Sequence, residues 1–375
     1  MAMLISSVDQ MLPHKRSRNY YHHEELHDVN QNVGDHCNLA TTSYDLDCSS
    51  CSTTSSNLED FSFSNTSPTR ALRGSTREAI GEIYGLDQFK KNCKLGKGFF
   101  GEVFKVQFLG ESGLLPKYCA MKVATTNTSG KKNARISAKK AQIRESQVLS
   151  KLSHPNVLTY RGMCVERDNS HWSLHLLVDY CDRGSLKELI LSLKRPFPWI
   201  QRCLIALQIS SAMSYVNSKG YMHRDLTAMN ILLQSEPGQR FPKAIVADFG
   251  LSTKIPKPTD EPEQCGSQDY MSPEMLLEQR YDEKSDVFSF GVIVCQMIAR
   301  IEADHDSGLS RTKHFGIDFE KFIKICPSDT PHDFFQLAFD CCQYNSNDRP
   351  SFQALYDRII AQKDCNPWKK VLMFS

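Results

Sequence analysis

The sequence predicts an α+β protein of two lobes, a small β-rich lobe followed by a larger helical lobe. Strand-like alternation comes early, mainly between residues 86 and 180, and long helical patterns dominate from residue 202 onward. The chain has 375 residues, of which 40% are hydrophobic and 23% charged, as expected of a globular domain that carries a disordered portion.

The early segments predict a hairpin, a helix and a strand. LDQFKKNCKLG (86–96) and FFGEVFKVQFL (99–109) alternate as a strand pair around a glycine turn. Apolar residues then recur with helical spacing between residues 136 and 152, with Ser137 as the expected N-cap. LHLLVDY (174–180) predicts a short apolar strand.

Two later segments predict helices of the second lobe. RCLIALQISSAMSYVNSKG (202–220) is amphipathic and is expected to end at Gly220. SDVFSFGVIVCQMIAR (285–300) is apolar on nearly all sides, which predicts a helix buried in a large domain.

The first 86 residues differ from the rest of the chain. The stretch 41–69 is dominated by Ser, Thr, Asn and Asp, so it cannot bury enough apolar surface to offset its ordering entropy. We therefore expect a disordered tail over residues 1–86, a folded domain over 87–361 and a short C-terminal tail over 362–375.

Two features of the tail, a cysteine pair and a basic run, could suggest specific functions but have more ordinary explanations. Cys48 and Cys51 form a C-x-x-C pair, but a zinc site needs a second ligand pair at matching spacing and the sequence shows none. The basic run 14–18 has the composition of a nuclear localisation signal, although a solvated charge cluster is the more frequent explanation.

The charge balance indicates neither nucleic acid nor an anionic membrane as the main partner. The chain carries 45 Lys and Arg against 43 Asp and Glu, a formal net charge of +2. No stretch approaches the roughly 20 apolar residues that span a bilayer. We expect a cytoplasmic protein, with a nuclear location as the alternative.

A glycine-rich motif is the first indication of a nucleotide site. In Gly96-x-Gly98-x-x-Gly101-x-Val103, glycines allow the backbone to approach phosphate oxygens where a Cβ would clash. A plain hairpin turn or a dinucleotide site would also explain them, but a dinucleotide site requires a helix directly afterwards. Here the chain continues as a strand, EVFKVQF, which favours a loop that covers nucleotide phosphates.

Lys122 lies inside the apolar segment CAMKV. An ammonium group in such a strand is unfavourable unless its charge is met. The expected partners are the α and β phosphates of a nucleotide and the carboxylate of Glu145 in the next helix. An unpaired interior lysine is the alternative and the rarer case.

The most specific signal is His223-Arg224-Asp225-Leu226-Thr227-Ala228-Met229-Asn230, followed by Asp248-Phe249-Gly250. Phosphoryl transfer asks a protein mainly for positioning and charge neutralisation. Asp225 is expected to orient an acceptor hydroxyl and take its proton. Asn230 and Asp248 are expected to hold Mg²⁺, with Mn²⁺ as an alternative, because hard cations prefer oxygen ligands.

With its motifs in this order, the segment of about residues 87–361 resembles a protein kinase domain. Ser272-Pro273-Glu274 stands where kinases have A-P-E, and Glu274 is expected to pair with Arg349. Asp286 is expected to brace the segment 223–230, here called the catalytic loop. The resemblance implies ATP as the cofactor. It also implies catalytic roles for Asp225, Lys122 and Asn230 and a nucleotide site lined by Leu95, Gly96, Gly98, Gly101, Val103, Ala120, Lys122, Glu145, Val178, Asp179 and Cys181.

Features outside the universal motifs are similar to the testis-specific protein kinase and LIM kinase group. They are HRDLT, AIVADFGLSTKIP, YDEKSDVFSFGVIVCQMIARIEAD and RTKHFGIDFEKF. This resemblance implies dual-specificity phosphorylation of Ser and Thr, extending to Tyr. It also implies actin-depolymerising factor/cofilin as the protein substrate, and hence regulation of the actin cytoskeleton and association with it. The second Phe-Gly, at Phe315-Gly316, is interpreted as structural.

Departures from the group keep two alternatives open. Met229 replaces the lysine of the group's T-S-K-N, which removes a cation near the transferred phosphate and predicts reduced turnover. T-A-M matches neither the D-L-K of Ser/Thr kinases nor the A-A-R or R-A-A of tyrosine kinases, so a tyrosine-selective kinase is one alternative. A pseudokinase scaffold is the other, although it would normally lack one of Lys122, Asp225, Asn230 or Asp248.

Regulation is expected in the segment between Gly250 and Ser272. Arg224 precedes the catalytic aspartate, an arrangement that often pairs with a phosphate on this segment. The resemblance makes Ser267 the candidate regulatory phosphosite, with Thr259 as a weaker choice.

Overall fold

The computed structural model describes residues 82–98, 101–111, 113, 115–124, 132–168, 171–257, 259–260, 262–306 and 308–365. The predicted disorder before residue 82, the Cys48 and Cys51 pair and the basic run 14–18 lie outside the described residues. The two-lobed α+β architecture is confirmed.

A six-stranded sheet forms the first lobe. Its strands are β1 (Ile83–Gly85), β2 (Phe89–Gly98), β3 (Gly101–Phe108), β4 (Tyr118–Ala124), β5 (Tyr160–Asp168) and β6 (His171–Asp179). They lie in the order β1-β5-β6-β4-β3-β2, with β1 parallel to β5 and every other neighbouring pair antiparallel. The predicted hairpin is therefore β2 and β3, and the predicted apolar strand is β6.

Helix α1 (Lys132–Leu149) follows β4 and packs against the sheet. It begins five residues before Ser137, so the predicted N-cap was wrong. Ser137 resembles an N-cap in sequence alone, but the helix continues through it. Ser is also accepted within helices, at a small loss in propensity.

Strand β1 precedes residue 87, the predicted start of the domain, and pairs with β5. The backbone N–H of Met163 in β5 donates to the carbonyl of Glu82 at 2.9 Å, and Tyr84 of β1 pairs with Cys164. Gly162 permits this approach, because its φ is +131° and a Cβ there would lie 2.6 Å from the Glu82 carbonyl oxygen.

Helices form most of the second lobe. They are α2 (Leu186–Leu191), α3 (Trp199–Ser218), α4 (Pro273–Leu276), α5 (Lys284–Ala299), α6 (Phe319–Ile325), α7 (His332–Cys341) and α8 (Phe352–Cys365). Every residue of α5 from Ser285 to Ile298 is buried, as its apolar pattern predicts. Helix α8 extends four residues past the predicted domain end at 361.

Four short strands hold the loops between α3 and α4. Strand β7 (Tyr221–Met222) pairs with β10 (Thr253–Lys254), and β8 (Ile231–Gln234) pairs with β9 (Lys243–Val246), both antiparallel. The segment 223–230 thus runs between two anchored strands. Among the described residues, none of the helices combines the length and apolar character needed to cross a membrane.

Candidate active site

Lys122 stands at the centre of an ion cluster. It lies in β4 opposite Val103 of β3 and Leu176 of β6, so the sheet fixes its backbone on both sides. Its Nζ is 2.7 Å from Oε2 of Glu145 on α1 and 2.9 Å from Oδ1 of Asp248. The predicted pair of Lys122 and Glu145 is confirmed, and Asp248 is a second partner.

Lys122 and Asp248 stabilise each other's charge. Burial opposes the Lys122 ammonium, but the carboxylates of Glu145 and Asp248 outweigh it and raise the pKa of Lys122 above its ordinary value. Burial also acts against the Asp248 carboxylate, and the Lys122 ammonium reverses this effect and lowers the pKa of Asp248. Lys122 therefore remains a cation, able to bind phosphate oxygens.

Gln142 supports the cluster and was missed in the sequence. Its side-chain amide donates to the backbone carbonyl of Lys122 at 2.9 Å. Because Gln142 and Glu145 are three residues apart, they share a face of α1. The helix is therefore joined to β4 through both the backbone and the side chain of Lys122.

The β8–β9 hairpin brings the two predicted metal ligands together. Asn230 immediately precedes β8 and Asp248 is the second residue after β9, while Ile231 pairs with Val246 across the hairpin. The backbone N–H of Ala247 donates to the carbonyl of Asn230 at 2.9 Å. Segments 18 positions apart are thereby adjacent, and Asp248 also contacts Lys122.

The catalytic loop fixes the carboxylate of Asp225. The amide of Asn230 donates to the Asp225 carbonyl at 2.8 Å and to Oδ2 of its carboxylate at 3.0 Å. Thr227 is buried, and its hydroxyl accepts the backbone N–H of Asn230 at 3.1 Å. Met229, in contrast, is half-exposed. Thr227 therefore stabilises the backbone of the loop, and its presence is no indication of a particular substrate.

Asp286 stabilises the backbone of this loop, as predicted. This buried residue of α5 accepts the backbone N–H of His223 at 2.6 Å and that of Arg224 at 2.9 Å. Arg224 has a φ of +66°, which is unfavourable for a non-glycine residue. The two hydrogen bonds to Asp286 hold the backbone in this conformation.

His223 connects the loop to Phe249. Their ring centroids are 4.8 Å apart, and both residues are fully buried. The backbone N–H of Asp225 donates to Nδ1 of His223, so Nε2 carries the proton that is donated to the Ala247 carbonyl at 3.0 Å. Through these contacts the segments around Asp225 and Asp248 pack as one unit.

The predicted nucleotide-site residues line the sheet above this unit. Gly98 and Gly101 are paired at the end of the β2–β3 hairpin, and Gly96 is opposite Val103. The remaining predicted positions, placed on β2, β4, β6 and the chain that follows β6, are Leu95, Ala120, Val178, Asp179 and Cys181.

Two of the predicted nucleotide-site residues, one in β4 and one in β6, are less exposed than the one that follows β6. Ala120 is opposite Val178, and both are buried, whereas Cys181 is half-buried and lies just past β6. The carboxylate of Asp179 is bound by Arg161, with contacts of 2.5 and 3.0 Å. The backbone N–H of Asp179 donates to the Thr159 carbonyl at 3.1 Å, so neither the carboxylate nor this N–H is free for a nucleotide. Arg161 was not anticipated from the sequence.

Ser267 lies against the carboxylate of Asp225. Its hydroxyl donates to Oδ1 of Asp225 at 2.8 Å, and its backbone N–H donates to the same oxygen at 2.9 Å. Arg224, its predicted phosphate partner, donates to the carbonyls of Leu251 at 2.7 Å and Glu263 at 3.4 Å. No motif in the sequence predicts the contact of Ser267 with Asp225.

The predicted structural pair of Glu274 and Arg349 is confirmed. The guanidinium of Arg349 donates to both carboxylate oxygens of Glu274, at 2.6 and 2.8 Å. Arg349 is buried, and it also donates to the backbone carbonyls of Gln343, Lys284 and Tyr344. All of these contacts fix the end of the segment that contains Ser267.

A family model described as protein tyrosine and serine/threonine kinase matches residues 89–359. The chain belongs to this kinase family. Its kinase domain is 39% identical, over 280 residues, to dual specificity testis-specific protein kinase 2 of Rattus norvegicus, which covers 74% of this chain and 45% of that protein. The human protein of the same name is 38% identical over 278 residues, with 73% and 44% covered.

A second relative has the same kind of name. Dual specificity testis-specific protein kinase 1 of Rattus norvegicus is 37% identical over 288 residues, covering 76% of this chain and 42% of that protein. The predicted resemblance to testis-specific protein kinases is confirmed. The chain spans less than half the length of the curated relatives it matches.

The residues of this kinase domain fit the cofactors that the family implies. Lys122 offers a cation for phosphate oxygens, and the glycines of the β2–β3 hairpin have no Cβ that would clash with a phosphate near the backbone. Asn230 and Asp248, whose segments are joined by the β8–β9 hairpin, both carry side-chain oxygen atoms, the ligand type that a divalent cation such as Mg²⁺ prefers.

Proposed function

We propose that this chain is an ATP-dependent protein kinase that phosphorylates Ser and Thr, and also Tyr, in protein substrates. The observation that carries this proposal is the assembled cluster in which Lys122 contacts both Glu145 and Asp248. Such a cluster requires helix α1, strand β4 and the segment after β9 to be in place together. The names of the relatives, which include the words dual specificity, support the range of acceptor residues.

Each residue has a role in this proposal. Bound ATP with Mg²⁺, or Mn²⁺, would supply the transferable phosphoryl group and neutralise its charge. Lys122 would bind phosphate oxygens, and Asn230 and Asp248 would hold the metal. Asp225 would orient the acceptor hydroxyl and take its proton, since the contacts to Asn230 and Ser267 fix the direction of its carboxylate.

A peptide array with Ser, Thr and Tyr acceptors tests this activity. Labelled γ-phosphate from ATP should appear on Ser and Thr peptides, and more weakly on Tyr peptides, with the wild type and not with Asp225→Asn. Equal signal from both proteins would contradict the proposal. Transfer to Tyr alone would establish the tyrosine-selective alternative, and nucleotide binding without any transfer would establish the pseudokinase scaffold.

We further propose actin-depolymerising factor/cofilin as the substrate, with phosphorylation at an N-terminal serine. The support is the resemblance of the catalytic and flanking motifs to the testis-specific protein kinase and LIM kinase group. A phosphate adds a charge of about −1.5 to −2 at neutral pH, enough to weaken binding to an actin filament surface. Regulation of the actin cytoskeleton, and a cytoplasmic location in association with it, would follow.

The substrate proposal has its own experiment. Purified cofilin should incorporate phosphate with the wild-type kinase, and the same cofilin with its N-terminal serine changed to alanine should not. Phosphorylated cofilin should then sediment less with actin filaments. If general peptides are phosphorylated and cofilin is not, the kinase activity stands and the substrate proposal fails.

We also propose new limits for the catalytic domain. The secondary structure supports a domain over residues 83–365, because β1 pairs with β5 and helix α8 packs against α3. Limited proteolysis should leave a fragment close to these limits. A fragment that begins after residue 87 would contradict the inclusion of β1.

A further inference from the structure

We propose that Arg311 is a positioning residue for the protein substrate. It acts through the short 3₁₀ helix Gln268–Tyr270, here called the acceptor turn. The inference rests on the proposed kinase function, and it concerns how that site binds its protein substrate. Arg311 lies in the loop between α5 and α6, far along the chain from every residue assigned a chemical role.

The loop that carries Arg311 is closed on itself. Arg311 and Ile317 form an antiparallel bridge, and the backbone N–H of Thr312 donates to the Gly316 carbonyl at 2.7 Å. Phe315 adopts a φ of +66° at the tip of this loop. The side chains at the tip are exposed, whereas Arg311 at its base is half-buried. The loop therefore holds Arg311 in a defined position.

Arg311 reaches from this loop to the acceptor turn. Its Nη2 donates to the backbone carbonyl of Asp269 at 2.6 Å, and its Nη1 donates to the carbonyl of Phe315 at 2.8 Å. Within the turn, Tyr270 donates to Ser267 and Met271 donates to Gln268. The Asp269 carbonyl receives no bond in this pattern, so Arg311 supplies its donor.

The guanidinium is also held by an aromatic ring. The central carbon of Arg311 is 4.9 Å from the ring centroid of Phe288, a fully buried residue of α5. The corresponding carbon of Arg349 is 5.0 Å from the same centroid. Arg311 thus shares a support with the buried pair of Arg349 and Glu274. It forms a rigid link between α5 and the acceptor turn.

The other contacts of the acceptor turn lead to the catalytic carboxylate. The Tyr270 hydroxyl donates to Gln296 at 2.8 Å, and the Ser289 hydroxyl donates to the Tyr270 carbonyl at 2.8 Å. Ser267, at the start of the turn, donates to Asp225. The turn is therefore fixed at one end by α5 and Arg311 and contacts the proton acceptor at the other.

This position makes the turn a surface for protein substrates and not for nucleotide. Ser267, which contacts Asp225, and the next two residues, Gln268 and Asp269, are exposed, whereas the side chains of Tyr270, Met271 and Met275 are buried. Both carboxylate oxygens are bound, Oδ1 by Ser267 and Oδ2 by Asn230, so an acceptor hydroxyl that reaches Asp225 brings its flanking residues close to the start of the turn. Lys122 and the glycine hairpin belong to the other lobe. Displacing the turn should weaken binding of protein substrate and leave ATP binding unchanged.

Steady-state kinetics with an acceptor peptide from the array tests the proposal, with Arg311→Met, Arg311→Lys and the control Lys313→Met. Lys313 is an exposed neighbour in the same loop, so its variant should match the wild type. Arg311→Met should raise KM for the peptide about tenfold, equivalent to losing one charged hydrogen bond. Arg311→Lys, which keeps one donor group in place of the two-pronged guanidinium, should raise it about threefold. KM for ATP should not change.

Hydrogen exchange gives a readout that does not need catalysis. In Arg311→Met the backbone amides of Tyr270 and Met271 should exchange faster, while those of β4 should not. If neither the peptide KM nor the exchange changes, the proposal is wrong. If peptide KM, ATP KM and melting temperature all change together, Arg311 only stabilises the fold, and the proposal is also wrong.

The two proposals fail in different ways. If the wild type transfers no phosphate, the proposed function is wrong, and the exchange rates still decide whether Arg311 holds the turn. If Arg311→Met does not fold, Arg311→Lys decides, since it preserves the charge and the aliphatic stem.

Discussion

The hydroxyl of Ser267 donates a hydrogen bond of 2.8 Å to Oδ1 of Asp225, across 42 positions of the chain. The backbone N–H of Ser267 reaches the same oxygen at 2.9 Å, and Asn230 donates to Oδ2 at 3.0 Å. Both oxygens of the carboxylate are therefore fixed, one by the segment that follows Gly250 and one by the catalytic loop. The orientation of the proposed proton acceptor depends on the conformation of that segment.

Ser267→Ala should lower kcat. Loss of the side-chain hydrogen bond to a charged acceptor leaves the Asp225 carboxylate less well oriented, with an expected decrease of about tenfold. Ser267→Thr keeps the hydroxyl and should retain most of the activity. Both are measured as initial rates of peptide phosphorylation, and an unchanged kcat in Ser267→Ala would contradict the prediction.

The same variants examine Ser267 as the predicted regulatory phosphosite. A phosphate at Ser267 would add negative charge beside Asp225, so it would require the segment to move toward Arg224. Phosphatase treatment of wild type whose phosphorylation at Ser267 is confirmed by mass spectrometry should lower activity if the phosphate activates the enzyme. If treated wild type remains fully active while Ser267→Ala is impaired, the hydroxyl is responsible and the phosphosite prediction fails.

Lys122→Met should abolish transfer and destabilise the first lobe. The substitution leaves the buried carboxylate of Glu145 facing Asp248 without a cation, which should lower the free energy of unfolding by about 3 kcal/mol. The double variant Lys122→Met with Glu145→Gln removes the unpaired charge and should recover most of that stability. It should recover no activity. Urea unfolding and peptide phosphorylation measure the two effects separately.

One result would contradict the predicted effect of Lys122 and Glu145 on stability. If the double variant is no more stable than Lys122→Met, then the loss does not arise from the uncompensated Glu145 carboxylate. The ion cluster would then contribute to catalysis without contributing to the stability of the lobe.

Some contacts follow from the sequence because a motif carries them. Lys122 with Glu145, Glu274 with Arg349 and Asp286 with the catalytic loop each join residues that occur at characteristic places in kinase motifs, and each is present. Their chemistry is also selective, because a buried charge needs a partner. Residue type and position together were therefore sufficient to predict these three contacts.

Other contacts have no such signal. Arg311 binds a backbone carbonyl, and any residue offers a carbonyl, so the identity of Asp269 was uninformative. The pairing of β1 with β5 depends on a short strand without alternation and on the unusual backbone angle of Gly162. The folded chain decides such contacts through long-range geometry, which local periodicity does not report.

Asp286→Asn should destabilise the catalytic loop. The carboxylate accepts two backbone N–H groups, and an amide in its place presents its own N–H₂ to one of them. We expect the free energy of unfolding to fall by about 2 kcal/mol, together with a lower kcat, because Arg224 loses the support for its backbone conformation. Asp357→Asn, on the outer face of α8, is the matched control. Equal stability of the two variants would contradict this role.

Met229→Lys should raise turnover. Neither Thr227 nor Met229 carries a positive charge that could lie beside Asp225. Thr227 is buried with its hydroxyl on the backbone of Asn230, whereas Met229 is half-exposed. A lysine at 229 would restore charge near the transferred phosphate, with an expected increase in kcat of about threefold to tenfold. Met229→Leu controls for side-chain shape and should match the wild type. A kcat for Met229→Lys at or below that of Met229→Leu would contradict the expected benefit of the charge.

Gly162→Ala should detach β1 from the sheet. A Cβ at Gly162 would lie 2.6 Å from the Glu82 carbonyl oxygen and 2.9 Å from the ring of Tyr84. Gly238→Ala is a matched control, because Gly238 also has a positive φ, of +80°, but has open space around it. Gly238→Ala should lose about 1 kcal/mol from backbone strain alone, and Gly162→Ala should lose roughly 1–3 kcal/mol more from the collision.

Deletion of residues 1–86 separates the two contributions at Gly162. Without β1 the collision disappears, so the difference in unfolding free energy between the Gly162→Ala form and its parent should shrink to that of Gly238→Ala. The deletion itself should lower stability, because Tyr84 packs edge-to-face on Phe89 and Phe108 with ring centroids 6.0 Å away. If Gly162→Ala has the same effect in the full chain and in the deletion, then β1 does not pair with β5 in solution.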